Sequence, residues 1–90
     1  MDHQINKTVV CFGEILWDIL PDKELPGGAP MNVAYHLYKL GVKTALLTRV
    51  GIDERGKKLL NILSNQQIPT DYIQLDYSTP TGIVHAEANE

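Results

Sequence analysis

Two segments of the sequence hold residue types suited to a small polar ligand. The first is Gly27-Gly28-Ala29-Pro30-Met31-Asn32-Val33-Ala34. Paired glycines let a backbone approach a ligand closely or adopt a positive φ. A helix that starts directly behind them turns its free N–H groups toward the loop. Asn32 would fall in the first turn of that helix, and its amide both donates and accepts, as a sugar hydroxyl does. The plain alternative is a tight turn at Gly27-Gly28 with Asn32 capping the helix. The second segment is an apolar run interrupted by Asp18, Ile15-Leu16-Trp17-Asp18-Ile19-Leu20. A carboxylate there must be solvated, paired or used, and vicinal hydroxyls could donate to its two oxygens. Against this, period-2 alternation on an edge strand would simply turn Asp18 to water.

The other polar landmarks say less. Gly51-x-Asp53-x-x-Gly56 reads as structural, with Asp53 capping a helix and Gly56 allowing close helix–sheet packing. Thr81-Gly82 is either a plain turn or a hydroxyl and backbone brought to a site. Trp17 and Tyr72 either cover a pocket or fill the core. The sequence contains no G-x-x-x-x-G-K-[ST] or G-x-G-x-x-G loop and no G-x-S-x-G elbow. Cys11, His3, His36 and His85 are scattered without metal-ligand spacing. Cys11 lies in an expected buried strand, where a thiol is a small inert hydrophobe. No catalytic, cofactor-binding or metal-binding residue is therefore expected within these residues.

Elements must hold these groups in place. Residues 8–12 (TVVCF) form a continuous β-branched run that suits a strand buried on both faces. Residues 15–20 form a second strand. Residues 21–30 carry three prolines and two glycines and read as a structured loop. Pro30 suits the first position of a helix, with Val33, Leu37 and Leu40 on its buried face, widened by Ala34 and Tyr38. Gly41 suits the position just past the helix end. Residues 44–50 (TALLTRV) read as a strand. The helix behind Asp53 has the stripe Leu59, Leu60, Ile62 and Leu63. Residues 72–75 and 83–88 read as short strands, the latter half-exposed and antiparallel. The order β-β-loop-α-β-α-β-β is an α/β pattern with parallel pairing and right-handed crossovers, the short half-polar strands being additions to the sheet.

Composition bounds the function. The chain has 90 residues, 43% hydrophobic and 21% charged, with a net charge of −3, which fits one small globular domain. Without a basic cluster, nucleic acid is not an expected partner. No apolar run approaches the ~18 residues of a membrane span, so no membrane partner is expected either. The polar start lacks a secretory pattern, and a single cysteine suits a reducing compartment; the expected address is the cytoplasm. The last strand lacks a hairpin partner, and a two-helix parallel sheet leaves an edge and a face uncovered. Residues 1–90 are therefore expected to be the front part of a larger domain.

Taken in order, Gly13-Glu14-…-Asp18, the Gly27–Ala34 segment, Gly51-x-Asp53-x-x-Gly56 and Thr81-Gly82 resemble the amino-terminal part of the ribokinase-like (PfkB) carbohydrate kinases. The form G-G-A-P-x-N-x-A is most similar to the fructokinase branch. The similarity runs from about Val9 to Glu90. It implies a Rossmann-like, three-layer α/β domain with a small β-lid, and a sugar held between the sheet edge and that lid. Asp18 matches the carboxylate that holds sugar hydroxyls. Gly27 and Gly28 match the pair that lies at the sugar and hinges the lid, and Asn32 the asparagine that contacts the sugar from the helix start. Segments 15–20, 72–75 and 83–88 would supply lid or lid-adjacent strands. Some members carry Asn two residues before the Asp; Leu16 stands there, which fits the fructokinase branch better than ribose. The family's G-A-G-D motif, with the catalytic base, and its nucleotide site belong to the carboxyl-terminal half and do not occur here. The resemblance thus implies the sugar-binding half of an ATP-dependent sugar kinase, with MgATP the co-substrate of the full-length parent and not bound by this chain alone. Two other readings stay open: a non-catalytic truncated module that binds sugar weakly or forms a homodimer through its lid strands, and a nucleoside kinase of the same family.

Overall fold

The computed structural model of the chain describes residues 7–85; His3 and residues 86–88 of the last expected strand lie outside the described residues. Eight elements follow in order: β1 (Val9–Phe12), β2 (Leu16–Ile19), β3 (Glu24–Gly27), α1 (Ala29–Lys39), β4 (Thr44–Gly51), α2 (Glu54–Asn65), β5 (Ile73–Asp76) and β6 (Gly82–His85).

Three parallel strands in the order β1-β4-β5 make the core sheet. Strand alternation puts Cys11, Leu46 and Val50 in one buried cluster with Met31 and Ala34 of α1 and Leu59 and Leu63 of α2. Both helices lie on that face because the two parallel crossovers, β1 to β4 and β4 to β5, advance the sheet in the same direction, and crossovers of one hand then put their helices on one face. Leu59 and Leu63 are fully buried and each contributes about 2 kcal/mol by leaving water. Gly56 lets α2 come close: a Cβ there would run into the Gly51 carbonyl oxygen.

A second, smaller sheet has the order β3-β2-β6. β2 and β3 are an antiparallel hairpin closed by the Leu20 N–H donating to the Lys23 carbonyl at 2.8 Å. β6 lies on the other side of β2 and parallel to it. Alternation sends Trp17 inward, where its Nε1–H donates to the Arg55 carbonyl in the first turn of α2 at 2.9 Å. The Arg55 guanidinium pairs with Glu24 of β3 at 3.2 Å. The small sheet is thereby docked on α2.

Several expectations need correction. Residues 24–27 are a strand, not loop; β3 is an edge strand, where Pro26 is tolerated because its missing N–H faces no neighbour. Residues 72–75 do not join the small sheet: β5 pairs with β4 in the core sheet. β6 is parallel to its neighbour instead of antiparallel. β1 is buried on one face alone, with Val10 and Phe12 open to solvent, because both described helices pack on the other face. In α1 the buried side is Met31 and Ala34, flanked by Tyr35, Leu37 and Tyr38. Val33 and Leu40 of the expected stripe are exposed. The helix is apolar on two sides, and the sheet covers one of them.

Both helices end in the same way. After α1, the Gly41 N–H donates to Tyr38 and the Val42 N–H to Leu37, with Gly41 at φ +81°, a Schellman closure with glycine at the left-handed position. After α2, the Gln67 N–H donates to Ser64 and the Ile68 N–H to Leu63, with Gln67 at φ +62°. A side chain there is strained where glycine would not be. Gln67→Gly is expected to stabilise the protein by about 0.5–1 kcal/mol, read as a higher denaturation midpoint, whereas Gly41→Ala lowers it.

Candidate functional site

The site expected from the sequence is built around β2, the middle strand of the small sheet. The alternation that buries Trp17 turns Leu16 and Asp18 to the opposite, open face. Asp18 is half-buried and sits between Leu25 of β3 and Val84 of β6. β2 is therefore not the edge strand that the bland account of Asp18 needs. The carboxylate leans over Gly27, where any Cβ would meet Asp18 Oδ2. Among the described residues the ion pairs are Arg49–Asp76, Arg55–Glu24 and Lys57–Glu54, so Asp18 has no cation. Such a carboxylate keeps its full accepting capacity for water or for a ligand's hydroxyl groups.

Gly28 follows at φ +113° and forms the N-cap of α1. A Cβ there would lie 2.5 Å from the Glu14 carbonyl oxygen and 3.0 Å from Ile15 Cα, so only glycine passes. The helix begins with no side-chain cap. The Asn32 N–H donates to the Gly28 carbonyl at 3.2 Å, and the Asn32 side chain is exposed. The capping role for Asn32 is thereby excluded, and its amide is free. The structure brings Asp18 and Gly27 into contact and sets Gly28 beside them; Asn32 stands one turn further along α1 and shares no hydrogen bond with Asp18.

A cavity of about 400 Å³ opens at the carboxyl ends of β1 and β4, with Phe12, Glu14, Gly51, Pro80 and Gly82 on its wall. This is where open α/β sheets bind ligands. Asp18, Gly27, Gly28 and Asn32 do not line it. Sequence reasoning passed over Glu14, which does. Of the two readings of Trp17 and Tyr72, Trp17 fills the core, and Tyr72, though exposed, lies on the cavity wall.

Thr81 is buried and its polar atoms are consumed. Its hydroxyl donates to Asp53 Oδ1 at 2.6 Å and accepts from the Gly51 N–H at 2.9 Å, while its own N–H donates to Asp53 Oδ2 at 2.9 Å. Asp53 Oδ1 also accepts from the Gly56 N–H at 2.8 Å, capping α2. The Thr81 hydroxyl, then its amide, then that of Gly56 hold the Asp53 carboxyl below the usual carboxylate range. Of the two readings of Thr81-Gly82, the hydroxyl serves the structure: it clamps the start of β6 to the end of β4 and the head of α2. The Asp76 carboxylate organises the turn leading there, accepting from the amides of Ser78 and Thr79, which together with the Ser78 hydroxyl and Arg49 lower its pKa.

With this geometry in view, comparisons place the chain among known proteins. A family model described as pfkB family carbohydrate kinase matches residues 6–90. Probable fructokinase-6, chloroplastic, from Arabidopsis thaliana is 38% identical over 92 residues, covering 89% of this chain and 24% of that protein. The solved structure of Halothermothrix orenii fructokinase matches with a TM-score of 0.82 and 38% identity over 90% of this chain and 34% of the other. Fructokinase from Vibrio cholerae O395, solved in a fructose, ADP and calcium ion bound form, matches with a TM-score of 0.77 and 31% identity over 87% of this chain and 27% of the other. The chain spans about a quarter of the length of the curated relatives it matches. The expected ribokinase-like α/β fold is present, with two of its three layers among the described residues.

The clamp predicts a pH signature. The folded-state pKa of Asp53 lies below the usual aspartate value of 3.8, so its contribution to stability is complete above that value and is lost as pH falls through the folded-state value. The stability gap between wild type and Asp53→Asn is expected to be constant at neutral pH and to close below about pH 4 in acid denaturation. Thr81→Val, which strands the Gly51 N–H, is expected to cost about 1–3 kcal/mol.

Proposed function

The chain belongs to the pfkB family of carbohydrate kinases, and on that premise we propose that the protein carrying it transfers the γ-phosphate of MgATP to a hydroxyl of a small sugar, fructose first. Residues 1–90 supply the amino-terminal, sugar-binding part and its lid. The remainder supplies the nucleotide site and the catalytic base. The observation that carries this reading is the Asp18 carboxylate, half-buried on the open face of the lid, without a cation among the described residues and seated over Gly27. The fructose- and ADP-bound relative supports the choice of substrate.

In this reading Asp18 accepts hydrogen bonds from sugar hydroxyls, Gly27 and Gly28 let the backbone approach the sugar, and the Asn32 amide makes a further contact from α1. Phosphoryl transfer depends chiefly on positioning and electrostatics, and the lid keeps water from competing with the sugar. These residues do not fit the metal–nucleotide side of the reaction. Among those described, no three His, Cys, Asp or Glu side chains come together as a metal site, and no phosphate loop occurs in the sequence. No step through MgATP is therefore assigned to them.

The placement within a larger domain is supported by the open face of the core sheet. Val10, Phe12 and Leu47 are 56%, 78% and 44% exposed. A hollow of about 840 Å³ runs along that side past Val10, Ala45, Leu47 and Tyr72. A remaining layer of the domain would cover it. A cytoplasmic address accords with the one buried, unpaired cysteine. Among the described residues the lid's outer strands β3 and β6 pair on one side only, which supports pairing of two lids in a homodimer.

Asp18→Ala in the full-length protein is expected to raise the sugar KM about 10- to 100-fold, the value of a charge-assisted hydrogen bond, with the melting temperature nearly unchanged. Gly27→Ala, which displaces the carboxylate, should act the same way. Steady-state assays over fructose, other sugars and nucleosides read both effects. An unchanged KM removes Asp18 from the site, and turnover of nucleosides in preference to sugars replaces the sugar with a nucleoside.

A further inference from the structure

We infer that Glu14 is a second hydroxyl-binding carboxylate of the sugar site, and that the pair Glu14 and Asp18 selects a neutral, multiply hydroxylated sugar over an anionic one. The inference rests on the sugar-kinase reading above. Leu16, on the middle strand of the lid, faces glycine on both sides, Gly27 of β3 and Gly82 of β6. Each glycine leaves a space that a side chain would fill, and each space holds a carboxylate. A Cβ on Gly27 would meet Asp18; a Cβ on Gly82 would lie 2.7 Å from Glu14 Oε2 and 3.5 Å from Leu16 Cβ. The two acids therefore flank the Leu16 side chain on one open face.

The main chain of Glu14 is fixed as firmly as that of the Gly-Gly turn, because the two touch. Gly28 packs on the Glu14 carbonyl, and a Cβ on Gly13 would lie 3.2 Å from the Pro30 ring. Glu14 forms no ion pair among the described residues. It also lines the cavity at the strand ends, together with Gly82 and without Asp18. Glu14 is thus the group that joins the lid's open face to that cavity. The cation on the same wall, Arg49, is engaged by Gln74 at 3.0 Å and by Asp76 at 3.6 Å. Two carboxylates facing a ligand offer acceptors to hydroxyl donors and repel a carboxylate or phosphate on the substrate.

The test uses the full-length protein with MgATP, fructose, a series of fructose analogues each lacking one hydroxyl, and gluconate as the anionic probe. Glu14→Ala and Glu14→Gln are compared with Asp18→Asn, and each is checked by a thermal melt; Glu14 is exposed and Glu14→Gln keeps its shape. The expected result is a fructose KM raised about 10- to 100-fold by Glu14→Ala, an unmoved KM for ATP, and one deoxy analogue that is poor for wild type but no poorer for Glu14→Ala than fructose itself. Glu14→Gln is expected to weaken the exclusion of gluconate. If both Glu14 variants keep the wild-type fructose KM and analogue profile while Asp18→Asn raises it, the role of Glu14 is overturned and the sugar reading stands. If the wild-type protein phosphorylates no sugar, both fall together.

Discussion

The Asp53 carboxylate is the point on which the arrangement hangs. Both of its oxygens are engaged, by the hydroxyl and amide of Thr81 and by the amide of Gly56. Three stretches of backbone meet there: the end of β4, the head of α2 and the entry to β6. They approach so closely that a Cβ on Gly51 would lie 2.6 Å from the Thr81 nitrogen. A carboxylate accepts without donating, so it can draw three N–H and O–H groups onto one spot with no mismatch. Without that convergence β6 would have no fixed starting point, and β2, the strand that carries Asp18, would lose its parallel neighbour.

The small sheet follows from this anchor. Its inward face is a working contact with the body, through Trp17 and Glu24 on Arg55. Its outward face is left without an apolar cover, and the glycines in register with Leu16 open it further. On most half-buried strands the neighbours of a Leu are large and the sheet closes over. Here two neighbours are absent as side chains, and acids occupy the room. The fold thus holds charge where a water-excluding cover would otherwise form, which is consistent with a surface that receives a polar ligand.

How much of this could be read from residues alone depended on the range of the signal. The turn chemistry at Gly41, the cap at Asp53, the need for Gly56 and the stripe Leu59–Leu63 are local, and the sequence displays them. Asp18, Gly27 and Gly28 stood out because their types are wrong for their surroundings unless something uses them. Strand β3 was obscured by Pro26 and Gly27, which signal a loop everywhere except at a sheet edge. The four-residue strands β5 and β6 carry too little pattern to say which sheet they join. The partner of Thr81 lies 28 positions away, and the space around Glu14 depends on Gly82 pairing with Leu16. Neither relation leaves a periodic trace. The buried side of α1 was ambiguous because the helix has two apolar sides and nothing local decides which one meets the sheet.

Trp17 is the chain's one tryptophan, and its indole N–H is bound to the Arg55 carbonyl. The chromophore that dominates near-ultraviolet emission therefore sits on the seam between the small sheet and α2. Its wavelength and quenching within this chain register whether that seam is dry and closed or wet and parted. The fold carries an optical gauge of its own articulation, placed there by the same alternation that turns the neighbouring carboxylate outward.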